Sequence, residues 1–130
     1  MKSFIQPDWA LNIPDDWESE VESECAVLYH PDKSGTLQIS STRHEDNVTE
    51  TDLMEIASEH IEAGAILEDA TLGDFDGFTL SYATDDEYWR EWYLRCDTLM
   101  LFVTYYCNLE EEGADDDIID AILETLRVVE

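Results

Sequence analysis

Alternation of apolar and polar residues recurs along most of this chain. Trp9, Leu11 and Ile13 alternate with Ala10 and Asn12, which predicts a first strand. Pro14-Asp15-Asp16 then turns the chain, and Trp17 follows as a packing anchor. If the segment ESEVESE is extended, Glu18, Glu20, Glu22 and Glu24 share one side while Ser19, Val21, Ser23 and Cys25 take the other. The apolar run Cys25 to Tyr29 predicts a second strand, His30 to Gly35 a turn, and Thr36 to Ser40 a third strand with Leu37 and Ile39 on one face.

Helical spacing then takes over. Leu53, Ile56, Ala57, His60, Ile61 and Gly64 form one stripe, with Asp52 as the expected cap and Glu55 as its capping-box partner. A fourth strand is expected over Ala65 to Gly73, and a turn over Asp74-Phe75-Asp76-Gly77, its glycine supplying a positive φ. Phe78, Leu80 and Tyr82 mark a fifth strand, and Asp85-Asp86-Glu87 a further turn.

The segments 88–96 and 98–109 are the strongest strands. A tight loop at Cys96-Asp97 would set Leu94 against Leu99, Trp92 against Leu101, Arg90 against Val103 and Tyr88 against Tyr105. Both faces of that hairpin carry large apolar groups, so it belongs in the middle of a sheet covered on both sides. Arg90 falls on an apolar side and needs a carboxylate partner. Glu110 to Asp117 opens a last helix with Ile118, Ile119, Ile122, Leu123 and Leu126 as its buried stripe, and the acids of 115–117 suit its N-terminal N–H groups. The expected class is therefore α+β: a central antiparallel sheet of about six or seven strands with two main helices packed on it, in a single domain spanning residues 1–130.

Charge changes what this domain can touch. Only Lys2, Lys33, Arg43, Arg90, Arg95 and Arg127 oppose 33 carboxylates, for a net charge of −27. The apolar share of 44% and aromatic share of 11% set the chain apart from disordered acidic tails. Direct binding to nucleic acid or to an anionic membrane is excluded by repulsion. What remains is a general adaptation to high salt, or attraction of a basic protein partner, as inhibitors of cationic toxins achieve. Three cysteines, Cys25, Cys96 and Cys107, without a CxxC spacing, read as reduced and mostly buried thiols. The opening MKSFIQPDWALNIPDDW lacks the apolar stretch of a signal peptide, and no run nears the roughly 18 apolar residues of a membrane span, so a cytoplasmic location is expected.

Catalytic and metal chemistry find no pattern here. His30, His44 and His60 stand apart, and neither HExxH nor zinc-type cysteine spacing occurs. Asp15-Asp16 and Asp115-Asp116-Asp117 lack the alternating oxygens of a calcium loop. GxSxG, the P-loop and GxGxxG are absent, so no enzyme and no cofactor is expected. Two sets of residues invite a binding role. Glu18, Glu20, Glu22 and Glu24 form either a solvated edge that resists aggregation or a face for a basic partner. Trp89, Tyr93, Phe102 and Tyr106 are either core beneath a helix or a partly open aromatic surface of the kind that supplies binding hot spots.

The succession WALNIPDDW, SGTLQIS, LMEIASEHI, GDFDGFTLSY and LMLFVTYYC before a final helix resembles the Mog1/PsbP-like superfamily, including the DUF1795 group of type VI secretion effector chaperones. The I-P-x-x-W phrase and the glycine turn before a strand are the most similar pieces. The resemblance implies an antiparallel sheet with helices on its faces and a role in binding another protein. The expected function is thus a non-enzymatic protein-binding domain, with an immunity-type inhibitor, a secretion-chaperone role and a generic salt-adapted domain as alternatives.

Overall fold

The computed structural model describes residues 1–22 and 25–129. Its elements are β1 (Lys2–Ile5), β2 (Trp9–Ile13), β3 (Glu18–Val21), β4 (Ala26–Tyr29), β5 (Thr36–Arg43), α1 (Glu50–Glu62), β6 (Ile66–Leu72), β7 (Phe75–Ala83), β8 (Glu87–Cys96), β9 (Leu99–Asn108), a 3-10 turn (Leu109–Glu111), α2 (Asp116–Leu123) and β10 (Arg127–Val128). Seven strands form one antiparallel sheet in the order β3-β4-β5-β9-β8-β7-β6. β1, β2 and β10 form a second, smaller sheet.

The aromatic hairpin β8–β9 lies in the middle of the large sheet, as its two apolar faces require. One face carries Trp92, Leu94, Leu99, Leu101, Val103 and Tyr105 against β2 and the α2 residues Ile119, Ile122 and Leu123. The other carries Phe78, Leu80, Tyr93 and Met100 under Leu53 and Ala57 of α1. Trp17 is buried at 3% exposure, so it does anchor the turn before β3.

Several expectations need correction. The hairpin turns at Asp97-Thr98, because Asp97 adopts a left-handed φ of 53° and Cys96 pairs with Leu99. Trp92 therefore faces Val103 and Arg90 faces Tyr105. The slip is an even step, so every side chain keeps its expected face. The turn before β7 lies at Gly73, whose φ is 60° and whose missing Cβ would stand 1.8 Å from the Leu126 carbonyl oxygen. Gly77 instead sits within β7 opposite Leu94, where a Cβ would meet the Tyr93 carbonyl oxygen at 1.9 Å.

The cap of α1 lies three residues before the expected one. Thr49 Oγ1 accepts from the Asp52 N–H at 3.1 Å, and the Asp52 carboxylate accepts from the Thr49 N–H at 2.9 Å. This box wins because the preceding residue is held: the Val48 N–H donates to the Asp97 carbonyl at 2.8 Å and Arg95 donates to the Val48 carbonyl at 3.1 Å. Within the stripe, Leu53 and Ala57 are buried but Ile56 is 53% exposed. At α2, Asp115 occupies the cap position without capping. Its carboxylate accepts instead from Lys33 and from the Tyr105 phenol, each at 3.0 Å. Arg90 finds its expected partners in Asp116 and Asp120, at 3.4 and 3.0 Å, and lies over the Trp92 ring at 4.6 Å. β1 escaped prediction because its four residues are mostly exposed. Pairing with β2 and the contact of Phe4 with Trp9 hold it.

Candidate functional site: the open face of the large sheet

α1 packs mainly over β7 and β8, with Met100 at the start of β9 in the same cluster. Beyond it, the same face of β9, β5, β4 and β3 presents Phe102, Thr104, Tyr106, Thr36, Gln38, Ser40, Tyr29, Glu18 and Glu20, all half-buried or exposed, around a buried Val27. Register assembles them into rows. One row runs directly across six strands: Glu18 opposite Tyr29, Tyr29 opposite Thr36, Thr36 opposite Tyr106, Tyr106 opposite Trp89, and Trp89 opposite Tyr82.

The rings of that row stack. Tyr106 and Trp89 centroids are 4.9 Å apart, Trp89 and Tyr82 6.2 Å, and Tyr82 and His60 of α1 5.1 Å. Cross-strand stacking orders large side chains without burying them, so amphipathic surface is offered at low entropic cost. At the other end of the row two carboxylates frame Tyr29. Its phenol donates to Glu20 at 3.2 Å, and the pKa is raised above the ordinary 10.0, first through hydrogen bonding to Glu18 and then through burial and the Glu20 charge.

The next row contains Glu91, only 4% exposed. Tyr82 and Tyr93 phenols both donate to its carboxylate at 2.7 Å, and His60 Nε2 lies 3.6 Å from it. Burial, followed by the bond to Glu91, drives both phenols far above their ordinary pKa. They stay protonated as donors and cannot act as bases near neutrality. The arrangement ties the end of α1 to the sheet at the border of the open face.

Of the residues singled out in the sequence, Glu18 and Glu20 lie on the same face as the aromatic row. Glu22 leaves the alternation, because its N–H donates to the Cys25 carbonyl beyond the end of β3; it lines a cleft of about 560 Å³ on the opposite side with Trp9, Val21 and Ile39. Glu24 lies outside the described residues. Trp89, Phe102 and Tyr106 are half-buried, whereas Tyr93 is 2% exposed, stacks on Phe78 and lies tilted against Phe102. The four aromatics thus divide into one core residue and three at a surface. Tyr29, Tyr82, His60 and Glu91 were missed as members. Tyr29 and Tyr82 were visible in the alternation, but only the pairing of β4 and β7 with their neighbours places them in the row.

Cations are engaged elsewhere: Lys33 with Asp115, Arg43 with Asp8, Arg95 with Asp76, and Arg127 with Asn12. Among the described residues no group of three or more His, Cys, Asp or Glu is placed to hold a metal ion, and no helix is long and apolar enough to cross a membrane. A second cleft of about 400 Å³ lies at the end of α1, between His60, Gly64, Ser81 and Tyr82.

A seven-stranded antiparallel sheet with one helix on one face, and a small sheet plus helix on the other, is the Mog1/PsbP-like architecture. Three solved structures share it. A protein of Bacteroides thetaiotaomicron VPI-5482 superposes with a TM-score of 0.74 and 16% identity over 99% of this chain, which spans 48% of that one. Cyanobacterial PsbP (CyanoP) from Synechocystis sp. PCC 6803 gives 0.72 and 10% identity, covering 98% of this chain and 92% of its own. LpqN, described as involved in cell envelope biogenesis of Mycobacterium tuberculosis, gives 0.65 and 18% identity, covering 96% and 87%. At these identities the likeness is one of fold. No protein-family model and no curated protein matches the sequence.

Proposed function

We propose that this protein is a binding module that docks a basic protein partner on the open face of its large sheet. The observation that carries this reading is the single row Glu18, Tyr29, Thr36, Tyr106, Trp89 and Tyr82, closed at one end by His60. Half-exposed Trp and Tyr side chains in the middle of a flat surface are the residue types that dominate binding energy. Carboxylates at Glu18 and Glu20 border them, and Lys33, Arg43, Arg90 and Arg95 are turned to other partners. A partner carrying Lys or Arg gains Coulomb attraction at a distance from the net charge of −27 and stacking on contact. The role proposed is non-enzymatic.

Affinity capture from the native lysate tests this with two baits, the wild type and the double variant Trp89→Ser/Tyr106→Ser. The wild type is expected to retain a basic protein at low salt that the variant binds at least about 30-fold more weakly. Equal retention by a folded variant would overturn the assignment of the face.

A further inference from the structure

We propose that β6 is a second docking element, an open sheet edge that accepts an extended segment bearing adjacent basic residues from another protein. β6 ends the strand order of the large sheet, so one side of its backbone faces outward. Its seven residues pair with β7 without a break, from Ile66 opposite Ser81 to Leu72 opposite Phe75, so no bulge twists the edge away. The opposite edge, β3, has four residues. Of the devices that blunt an edge, the segment ILEDATL lacks proline, lysine and a bulge, and its only charged side chains are the carboxylates Glu68 and Asp69, which leave the edge open to a partner of opposite charge. Ile66 is 64% exposed and Leu67 39%.

The chemistry of the occupant follows from Glu68 and Asp69. Both are exposed, and as neighbours on a strand they point to opposite faces of the sheet. An added strand also alternates, so two consecutive Lys or Arg residues set one ammonium or guanidinium beside each carboxylate. Apolar β-branched residues beside that pair would cover Ile66 and Leu67. A second copy of this chain is a poor occupant, because antiparallel pairing of β6 with itself about Asp69 sets Asp69 against Asp69 between bodies that each carry −27. This proposal is independent of the open face, since it uses backbone groups of an edge and neither Trp89 nor Tyr106.

Amide hydrogen exchange measured by NMR on the full chain tests it, with the peptide Thr-Val-Lys-Lys-Val-Thr as probe. Amides within 66–72 are expected to gain protection, with about tenfold or more weaker binding of the Glu-Glu version. Glu68→Lys/Asp69→Lys changes exposed residues only, and is expected to keep the unfolding midpoint and reverse the peptide preference. Any of four results overturns the proposal: no saturation up to about millimolar peptide, equal binding of a proline-centred peptide, protection confined to β5 and β9, or a dimer through β6 in the sedimentation profile. The last three would leave the open-face reading standing or falling on the Trp89 and Tyr106 variant alone.

Discussion

Glu91 is a carboxylate enclosed by the sheet and α1, with a phenol on each oxygen. Hydrogen bonds to a charged acceptor contribute about 1.5–3 kcal/mol each. Glu91→Gln keeps the shape but removes the charge, and is expected to cost about 2–4 kcal/mol in thermal or urea unfolding; an unchanged midpoint would mean that the carboxylate bears no such role. The same phenols set a pH dependence. Tyr82, Tyr93 and Tyr105 all have folded-state pKa values raised above 10.0, chiefly by burial. The unfolded chain therefore releases these protons first, so their contribution to stability is complete below pH 10 and declines as pH rises beyond it. Phenolate absorbance followed together with unfolding checks this: these three rings should ionise with loss of fold, while any phenolate forming in the intact fold comes from others. Gly77→Ala drives a methyl into the Tyr93 carbonyl, for an expected loss of about 1–3 kcal/mol or more by denaturant unfolding. At this scale Trp17 was legible as an anchor, because a lone Trp after a Pro-Asp-Asp turn has little else to do. The Glu91 cluster was not, because its members come from three elements and the chain contains 33 carboxylates from which to choose.

Among the elements, α1 separates what periodicity reveals from what it conceals. The stripe Leu53, Ala57, Ile61 follows from the 3.6-residue period, and Leu53 is fully buried while Ile56 is 53% exposed. Leu53→Ala is expected to cost about 2–5 kcal/mol, and Ile56→Ser to stay within about 0.5 kcal/mol, a contrast that thermal unfolding resolves. Thr49→Ala removes the cap and should cost about 1 kcal/mol; Glu55, the capping partner expected from sequence, should be replaceable without loss. Strand existence was read well for β2, β4, β5, β6, β7, β8 and β9. Register was not, because the turn at Asp97 depends on a left-handed residue that Cys96-Asp97-Thr98 does not advertise. The aromatic row is a product of register, so its full membership waited on coordinates even though Trp89 and Tyr106 were already in view.

At the scale of the molecule, the fold is a hydrophobic double layer inside an acidic shell. Self-repulsion of a −27 charge weakens the compact state and is screened over about 8–10 Å at moderate salt. The unfolding midpoint is therefore expected to rise from low salt to about molar KCl. A chain that folds only near molar salt would place the charge among general adaptations to salt, whereas one folded at low salt leaves it free to attract a partner. The architecture was accessible from sequence because two-sided apolar strands can lie only in the middle of a sheet. The function was not, since one fold serves many surfaces. The central claim is tested most directly by photocrosslinking from two positions in the native lysate. A photoreactive residue at Gln38, in the middle of the open face, is predicted to capture a basic protein that the same residue at the exposed Asp117 of α2 does not. Capture from Asp117 with none from Gln38 would contradict the account.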